Sequence, residues 1–208
     1  MSDELIFYTH PMSRGRIVRW MLEELGQPYR TVLLDYDTGM KDPAYLAINP
    51  MGKVPAIIHG GAVVTESAAI CTYLADAFPE AGLAPQRGDP ARAAYLRWMF
   101  FAAGPLEQAV TDKALGFEPP SERSKMVGYG RLGDALDAIE RLVNDNLYVA
   151  GDRFSAADIV LTGQISWGVM SVAKDRAPRF RAYLDRTSQR PAAIRAAAID
   201  DALLAEQG

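Results

Sequence analysis

The sequence predicts an α/β domain followed by an all-α domain. The first has the element order βαβαββα and the second is a helical bundle. Three observations carry this expectation. Short β-rich runs alternate with helical periods in the first part of the chain. A stretch rich in proline and glycine follows, with Pro79, Gly82, Pro85, Gly88 and Pro90. Beyond Ala91 the strand patterns stop, and apolar residues recur only at helical spacing. The 208 residues therefore divide into a domain at 1–78, a linker at 79–89 and a helical domain at 90–208.

Each element has its own local signal. Leu5, Ile6, Phe7 and Tyr8 form a short apolar run of β-formers, the first strand. Val18, Met21, Leu22 and Leu25 have helical spacing, and Gly26 and Pro28 stop that helix. A second strand covers 29–34, and a short helix lies near 43–48. Residues 54–58 and 62–65 read as strands around the Gly60-Gly61 turn, a hairpin signal. Ile70, Tyr73, Leu74 and Ala77 place one face of a helix over 67–78. After the linker, Tyr95, Trp98, Met99 and Ala102 mark one helix; Leu132, Leu136, Ile139 and Val143 mark another. Ser155-Ala156-Ala157-Asp158 is a capping box with Asp in the acid position, and Phe154 and Ile159 fit a hydrophobic staple around it. The Ala-rich stretch 191–204 predicts a last helix.

Composition narrows the function classes. With 49% hydrophobic residues the chain is of the ordinary globular kind. A net charge of −4 leaves no electrostatic footprint for nucleic acid. The basic spell of Lys174, Arg176, Arg179 and Arg181 reads as a solvated helix start. Cys71 is the single cysteine, so no internal disulfide forms and a reducing compartment fits. The acidic start runs straight into a strand and does not resemble a signal peptide. No apolar run reaches membrane-spanning length. A cytoplasmic protein with no nucleic-acid, membrane or metal partner is the expectation.

The most informative stretch is Asn49-Pro50-Met51-Gly52-Lys53-Val54-Pro55-Ala56-Ile57, followed by Glu66-Ser67. A proline cannot donate to a strand ladder, so Pro55 belongs at a strand's first residue or an edge. X-Pro is also the ordinary place for a cis peptide. A cis bond there leaves the N–H and C=O of Val54 to pair with a peptide-like ligand as an added strand would. Glu66-Ser67 opens a helix, whose N–H groups and dipole favour an anion such as an α-carboxylate. Together these features suggest a small peptide carrying a carboxylate and an amine.

These residues resemble the glutathione-binding half of the cytosolic glutathione transferases, and the resemblance extends over nearly the whole chain. The element order of the first domain resembles the thioredoxin fold. The resemblance implies that the Val54 backbone pairs with the cysteinyl part of glutathione. It implies that Glu66 and Ser67 meet the γ-glutamyl amine and carboxylate, and that Lys41 and Lys53 lie near the glycine carboxylate. Met51 stands where several branches carry an aromatic dimer key, so a homodimer is implied. Gly151–Ile159 resembles a buried helix start that serves folding in that family. Glutathione enters as a substrate, and a small electrophile is its partner.

Conjugation requires a thiolate. A thiol with a pKa near 8.5 is only a few per cent ionised at pH 7. Lowering that pKa by about two units takes about 2.7 kcal/mol of preferential stabilisation of the anion. The helix that follows strand 1 adds about 0.3–1 kcal/mol at its N-terminus. The segment there is Tyr8-Thr9-His10-Pro11-Met12-Ser13-Arg14-Gly15-Arg16. His-Pro-x-Ser resembles serine-type transferases, which makes Ser13 the donor to the sulfur; Ser13 also fits a plain N-cap. Arg14-Gly15-Arg16 resembles tyrosine-type transferases instead, and that alignment puts His10 at the tyrosine's place, with Tyr8 two residues early. Arg16 matches an arginine that assists the thiolate in some of those proteins, and equally fits a solvated helix charge. No Cys-x-x-Cys is present, and Cys71 reads as a packed helix residue, so thiol-disulfide exchange is disfavoured.

The second substrate is expected between the two domains, lined by Met12, Trp98, Phe101 and Gly104. An aromatic stripe at helical spacing also fits core packing. Two functions follow: a transferase that conjugates the thiolate of glutathione to an electrophilic, largely apolar compound, or a non-catalytic glutathione-binding or interaction protein on the same fold.

Overall fold

The structure, a computed structural model, describes residues 4–206. The chain forms two compact units. The first contains a four-stranded sheet of order β2-β1-β3-β4, built from β1 (Leu5–Thr9), β2 (Arg30–Leu33), β3 (Ala56–His59) and β4 (Ala62–Thr65). β1 and β2 are parallel; β1–β3 and β3–β4 are antiparallel. Burial alternates along β1: Leu5, Phe7 and Thr9 are covered, while Ile6 and Tyr8 are half-covered on the opposite face. That is the period of a strand with unlike faces.

Helix α1 (Gly15–Leu25) buries Ile17, Val18, Met21, Leu22 and Leu25 and ends at Gly26, whose φ of 65° permits the left-handed cap. It starts two residues after Ser13, because residues 10–14 form a hydrogen-bonded turn. α2 (Pro43–Leu46) is capped by the Asp42 carboxylate, which accepts from the Ala44 N–H. α3 (Ser67–Ala77) follows β4 and packs against α1. This is the thioredoxin-like βαβαββα order that the sequence predicts.

The last helix, α10 (Pro191–Ala205), belongs by packing to this first unit, whereas the sequence reading groups it with the helical domain. It buries Ala192, Ala196 and Asp200, a narrow stripe at i+4 spacing that lets α1 approach. Arg19 and Asp200 form an ion pair at 2.7 Å, each side chain only 1% exposed. Arg16–Asp201, Glu24–Arg190 and Glu23–Arg195 flank it. This seam carries ion pairs, which a count of apolar positions does not register.

The second unit runs from Gly82 to Gln189 and holds α4 (Ala91–Phe101), α5 (Glu107–Ala114), α6 (Leu132–Asp145), α7 (Ala156–Gln164), the short α8 (Met170–Val172) and α9 (Ala177–Ser188). Among the described residues it contains no strand, only the isolated bridge Tyr148–Gly151. A π-helical turn at Ala102–Leu106 joins α4 to α5. It contains Pro105, which has no N–H to give and would crowd a tighter turn. A second π-helical turn, Ile165–Val169, joins α7 to α8. Gln164 donates to Glu107 at 2.6 Å, tying the two wide turns together.

α7 is the core helix, with Ala156 to Thr162 buried throughout. Its capping box forms as the sequence predicts. The Asp158 carboxylate accepts from Ser155, the Val149 N–H and the Tyr183 hydroxyl, yet burial outweighs these bonds and pushes its pKa up to about 6. The basic spell is not simply solvated. Arg176 reaches Asp137 and Glu140, and Arg179 reaches Glu140, pinning the start of α9 to α6.

Candidate functional site

Strand register gathers the candidate residues. Tyr8 of β1 lies opposite Ala56 of β3, and Ala56 lies opposite Thr65 of β4. The chain therefore leaves the sheet at one edge in three places. These are His10–Ser13 after β1, Val54-Pro55 before β3 and Glu66-Ser67 after β4.

The Val54-Pro55 peptide is cis. The Val54 side chain is half-buried against the cluster of Met40, Tyr45 and Ala56, with Tyr8 beside it. Among the described residues nothing hydrogen-bonds the Val54 N–H or C=O. The residue before it is held firmly: the Lys53 carbonyl accepts from the Tyr45 hydroxyl at 2.6 Å and from Asn49 Nδ2 at 2.7 Å. Burial pushes the Tyr45 hydroxyl up to about pKa 12, so it remains a donor at neutral pH. Neither residue is marked for a role by the sequence alone. Asn49 opens the motif around Pro55, four residues before Lys53; Tyr45 carries no signal beyond an aromatic on a short helix.

The two lysines differ. Lys41 Nζ donates to the Gly52 carbonyl at 3.1 Å and braces the loop. Gly52 has φ 58°, and a Cβ there would fall 2.7 Å from the Met40 carbonyl, so the brace requires glycine. The Lys53 side chain is exposed and makes no hydrogen bond or ion pair among the described residues.

Glu66 is the one non-glycine residue with positive φ among the described residues, at φ 67° and ψ 120°. Such a conformation costs on the order of 1–3 kcal/mol and clusters at ligand clamps. Glu66 is exposed, Ser67 is half-buried, and no side chain of Glu66 caps α3. The first N–H groups of α3 are thus available to an anion.

The turn after β1 is satisfied from within. Ser13 is buried; its hydroxyl donates to the His10 carbonyl at 2.6 Å and accepts from the Gly15 N–H at 2.9 Å. A Cβ on Gly15 would sit 1.9 Å from Thr9 Oγ1 and 2.9 Å from Ser13 Oγ, so this packing demands glycine. His10 Nδ1 accepts from the Met12 N–H at 3.1 Å, and its ring packs on Tyr36 at 4.6 Å. The Tyr36 hydroxyl donates to the Met12 carbonyl at 2.8 Å, a support the sequence reading missed. Tyr8 packs its ring on Tyr45, 5.5 Å between centroids. Arg16 Nε donates to the Pro11 carbonyl and Nη2 reaches Asp201, both at 2.7 Å.

Cys71 is fully buried on α3, and burial raises its thiol pKa, as fits a packed residue. Met12 is 52% exposed on the turn of the first unit. In the second unit Trp98 is only 6% exposed, with Phe101 edge-on to it at 5.2 Å. The Arg97 guanidinium lies 4.6 Å over the Trp98 ring. Trp98 is therefore mainly a packing residue, while Phe101 is half-buried and Gly104 is exposed in the π-helical turn. Among the described residues no group of three or more His, Cys, Asp or Glu could hold a metal ion, and no helix is long and apolar enough to cross a membrane.

Comparison with known proteins finds relatives for both parts of the chain. Residues 7–82 match the glutathione S-transferase N-terminal domain family, and residues 96–191 match the glutathione S-transferase C-terminal domain family. The chain is 34% identical over 161 residues to a maleylacetoacetate isomerase of Pseudomonas aeruginosa, covering 73% of this chain and 74% of that protein. It superposes on a glutathione transferase from Methylococcus capsulatus with TM-score 0.79 at 30% identity, covering 95% of this chain and 98% of that one. It also superposes on a sphingomonad glutathione S-transferase complexed with glutathione, with TM-score 0.77 at 29% identity, covering 94% and 98%.

Proposed function

This chain belongs to the glutathione S-transferase family, and we propose that it is a serine-type member that conjugates glutathione to an electrophilic, largely apolar compound. The observation that carries this reading is Glu66 at φ 67° with Ser67 opening α3. That geometry sets a carboxylate, a hydroxyl and open helix N–H groups on the sheet edge where the Val54 backbone has no partner among the described residues. On this reading Glu66 takes the γ-glutamyl amine, and Ser67 with the start of α3 takes the α-carboxylate. The Val54 N–H and C=O pair with the cysteinyl unit, and Lys53 serves the glycine carboxylate. Lys41 acts through the loop it braces.

The sulfur is then directed at Ser13. For the Ser13 hydroxyl to donate to a thiolate, its proton leaves the His10 carbonyl and turns to the sulfur, while its oxygen still accepts from the Gly15 N–H. The exchange trades a neutral hydrogen bond for a charge-assisted one, which is about twice as strong. The ionised sulfur then attacks the electrophilic carbon, forming a C–S bond as a leaving group departs or an activated double bond takes up a proton. We assign the chain a homodimer, with Met51 as its apolar key, since that side chain is 69% exposed.

A second reading, glutathione binding without conjugation, is favoured by one observation: the Ser13 hydroxyl already has both a donor and an acceptor within its own turn. Calorimetric titration with glutathione, followed by a conjugation assay with a halogenated nitroarene, separates the two. Binding with turnover is expected. Binding without turnover selects the second reading, and no binding eliminates both.

A further inference from the structure

Arg16 joins two distant parts of the chain. Its Nε donates to the carbonyl of Pro11, inside the turn that carries Ser13, and its Nη2 reaches Asp201 on α10. Both contacts are 2.7 Å, so one planar guanidinium bridges turn and helix in a fixed geometry. α10 is itself anchored next door. Asp200 pairs with Arg19 in a fully buried contact, and Arg190 pairs with Glu24 through two hydrogen bonds of 2.6 and 2.8 Å. The last helix is thereby a rigid reference against which Arg16 holds the turn.

We propose that Arg16 and Asp201 are positioning residues for the thiol step, with α10 setting the place of the turn that presents Ser13. The inference rests on the assignment of Ser13 to the sulfur. It also replaces a simpler role for Arg16. With its Nε on the Pro11 carbonyl and its Nη2 on the Asp201 carboxylate, the guanidinium is placed to act on the thiol through the turn. Asp201 is the charged partner of the Arg16 guanidinium, and Asp200 on α10 also lies within its electrostatic reach.

Asp201→Asn distinguishes the two roles by sign. If Arg16 attracted the thiolate directly, removing its neutralising carboxylate would lower the thiol pKa of bound glutathione and raise activity at neutral pH. Positioning requires the reverse. Asp201→Asn is expected to lower kcat about two- to five-fold, the scale of an exposed ion pair, with glutathione KM nearly unchanged and the thiol pKa no lower. Arg16→Lys keeps the charge but not the fork, and is expected to match Arg16→Ala rather than wild type. Amide hydrogen exchange of the 9–16 segment without glutathione supplies a readout independent of activity. It should quicken about two- to five-fold in Asp201→Asn. Unchanged exchange, a rise in activity, or rescue by Arg16→Lys overturns the proposal. A wild-type chain that fails to bind glutathione overturns the functional reading instead, and the exchange result still decides whether α10 holds the turn.

Discussion

Two stretches of the same sheet edge differ in how they treat their polar groups. Around Val54 and Glu66 the chain fixes its own backbone and leaves the outward groups open. Tyr45 and Asn49 both hold the Lys53 carbonyl, Glu66 is set at positive φ, and the Val54 N–H and C=O have no partner among the described residues. In the turn from His10 to Gly15 nearly every polar group is already engaged, from the Ser13 hydroxyl to His10 Nδ1 and the Met12 carbonyl. The first stretch is ready for a ligand as it stands. On the proposed function, the second must exchange a hydrogen bond before it can act on one. On that reading, recognition and chemistry are separable here, and variants should move one without the other.

The largest effect belongs to the open stretch. Glu66→Ala removes the carboxylate proposed for the γ-glutamyl amine, and a hydrogen bond to a charged group is worth about 1.5–3 kcal/mol. Glutathione affinity by calorimetry should fall roughly 10- to 100-fold, with turnover at saturating glutathione little changed. Affinity equal to wild type would remove Glu66 from the site.

Ser13→Ala tests the engaged stretch. Conjugation at neutral pH should drop about ten-fold while glutathione affinity holds, and the loss should shrink at pH 9, where the thiol ionises unaided. The variant also loses the acceptor for the Gly15 N–H, so a stability decrease of about 1 kcal/mol should accompany it in denaturant titration. A stability loss with full activity would make Ser13 a structural residue of the turn alone. The same pH-dependent loss in His10→Ala or Tyr8→Phe, and not in Ser13→Ala, would transfer the role to that residue.

Tyr45→Phe sharpens the contrast by loosening the support behind the open stretch. The Lys53 carbonyl keeps Asn49, so the expected cost is about 1 kcal/mol, read as a several-fold rise in glutathione Kd. A fall in kcat with Kd unchanged would contradict the separation of the two stretches. The smallest effect divides the lysines. Lys53→Ala should weaken glutathione about two- to five-fold in a salt-dependent way, as an exposed ion pair does. Lys41→Ala should instead lower stability slightly, because Lys41 braces the loop at the Gly52 carbonyl.

What the sequence determined by itself is local. The strand and helix periods, the Gly26 stop, the hairpin at Gly60-Gly61, the cis peptide at Pro55, the capping box at Ser155–Asp158 and the meeting of Glu66-Ser67 with a helix start are each carried by a few adjacent residues whose conformational preferences agree. The tertiary structure decided what depends on residues far apart in the chain. Only packing shows that α10 docks on α1, because Arg19 and Asp200 lie 181 residues apart and their pairing has no periodic signature. Only packing gives the Lys53 carbonyl its two donors, turns the Ser13 hydroxyl inward, and places Trp98 in the helical core. A side chain's type limits the hydrogen bonds it can make; which partner it takes is set by the neighbours that folding brings within about 3 Å.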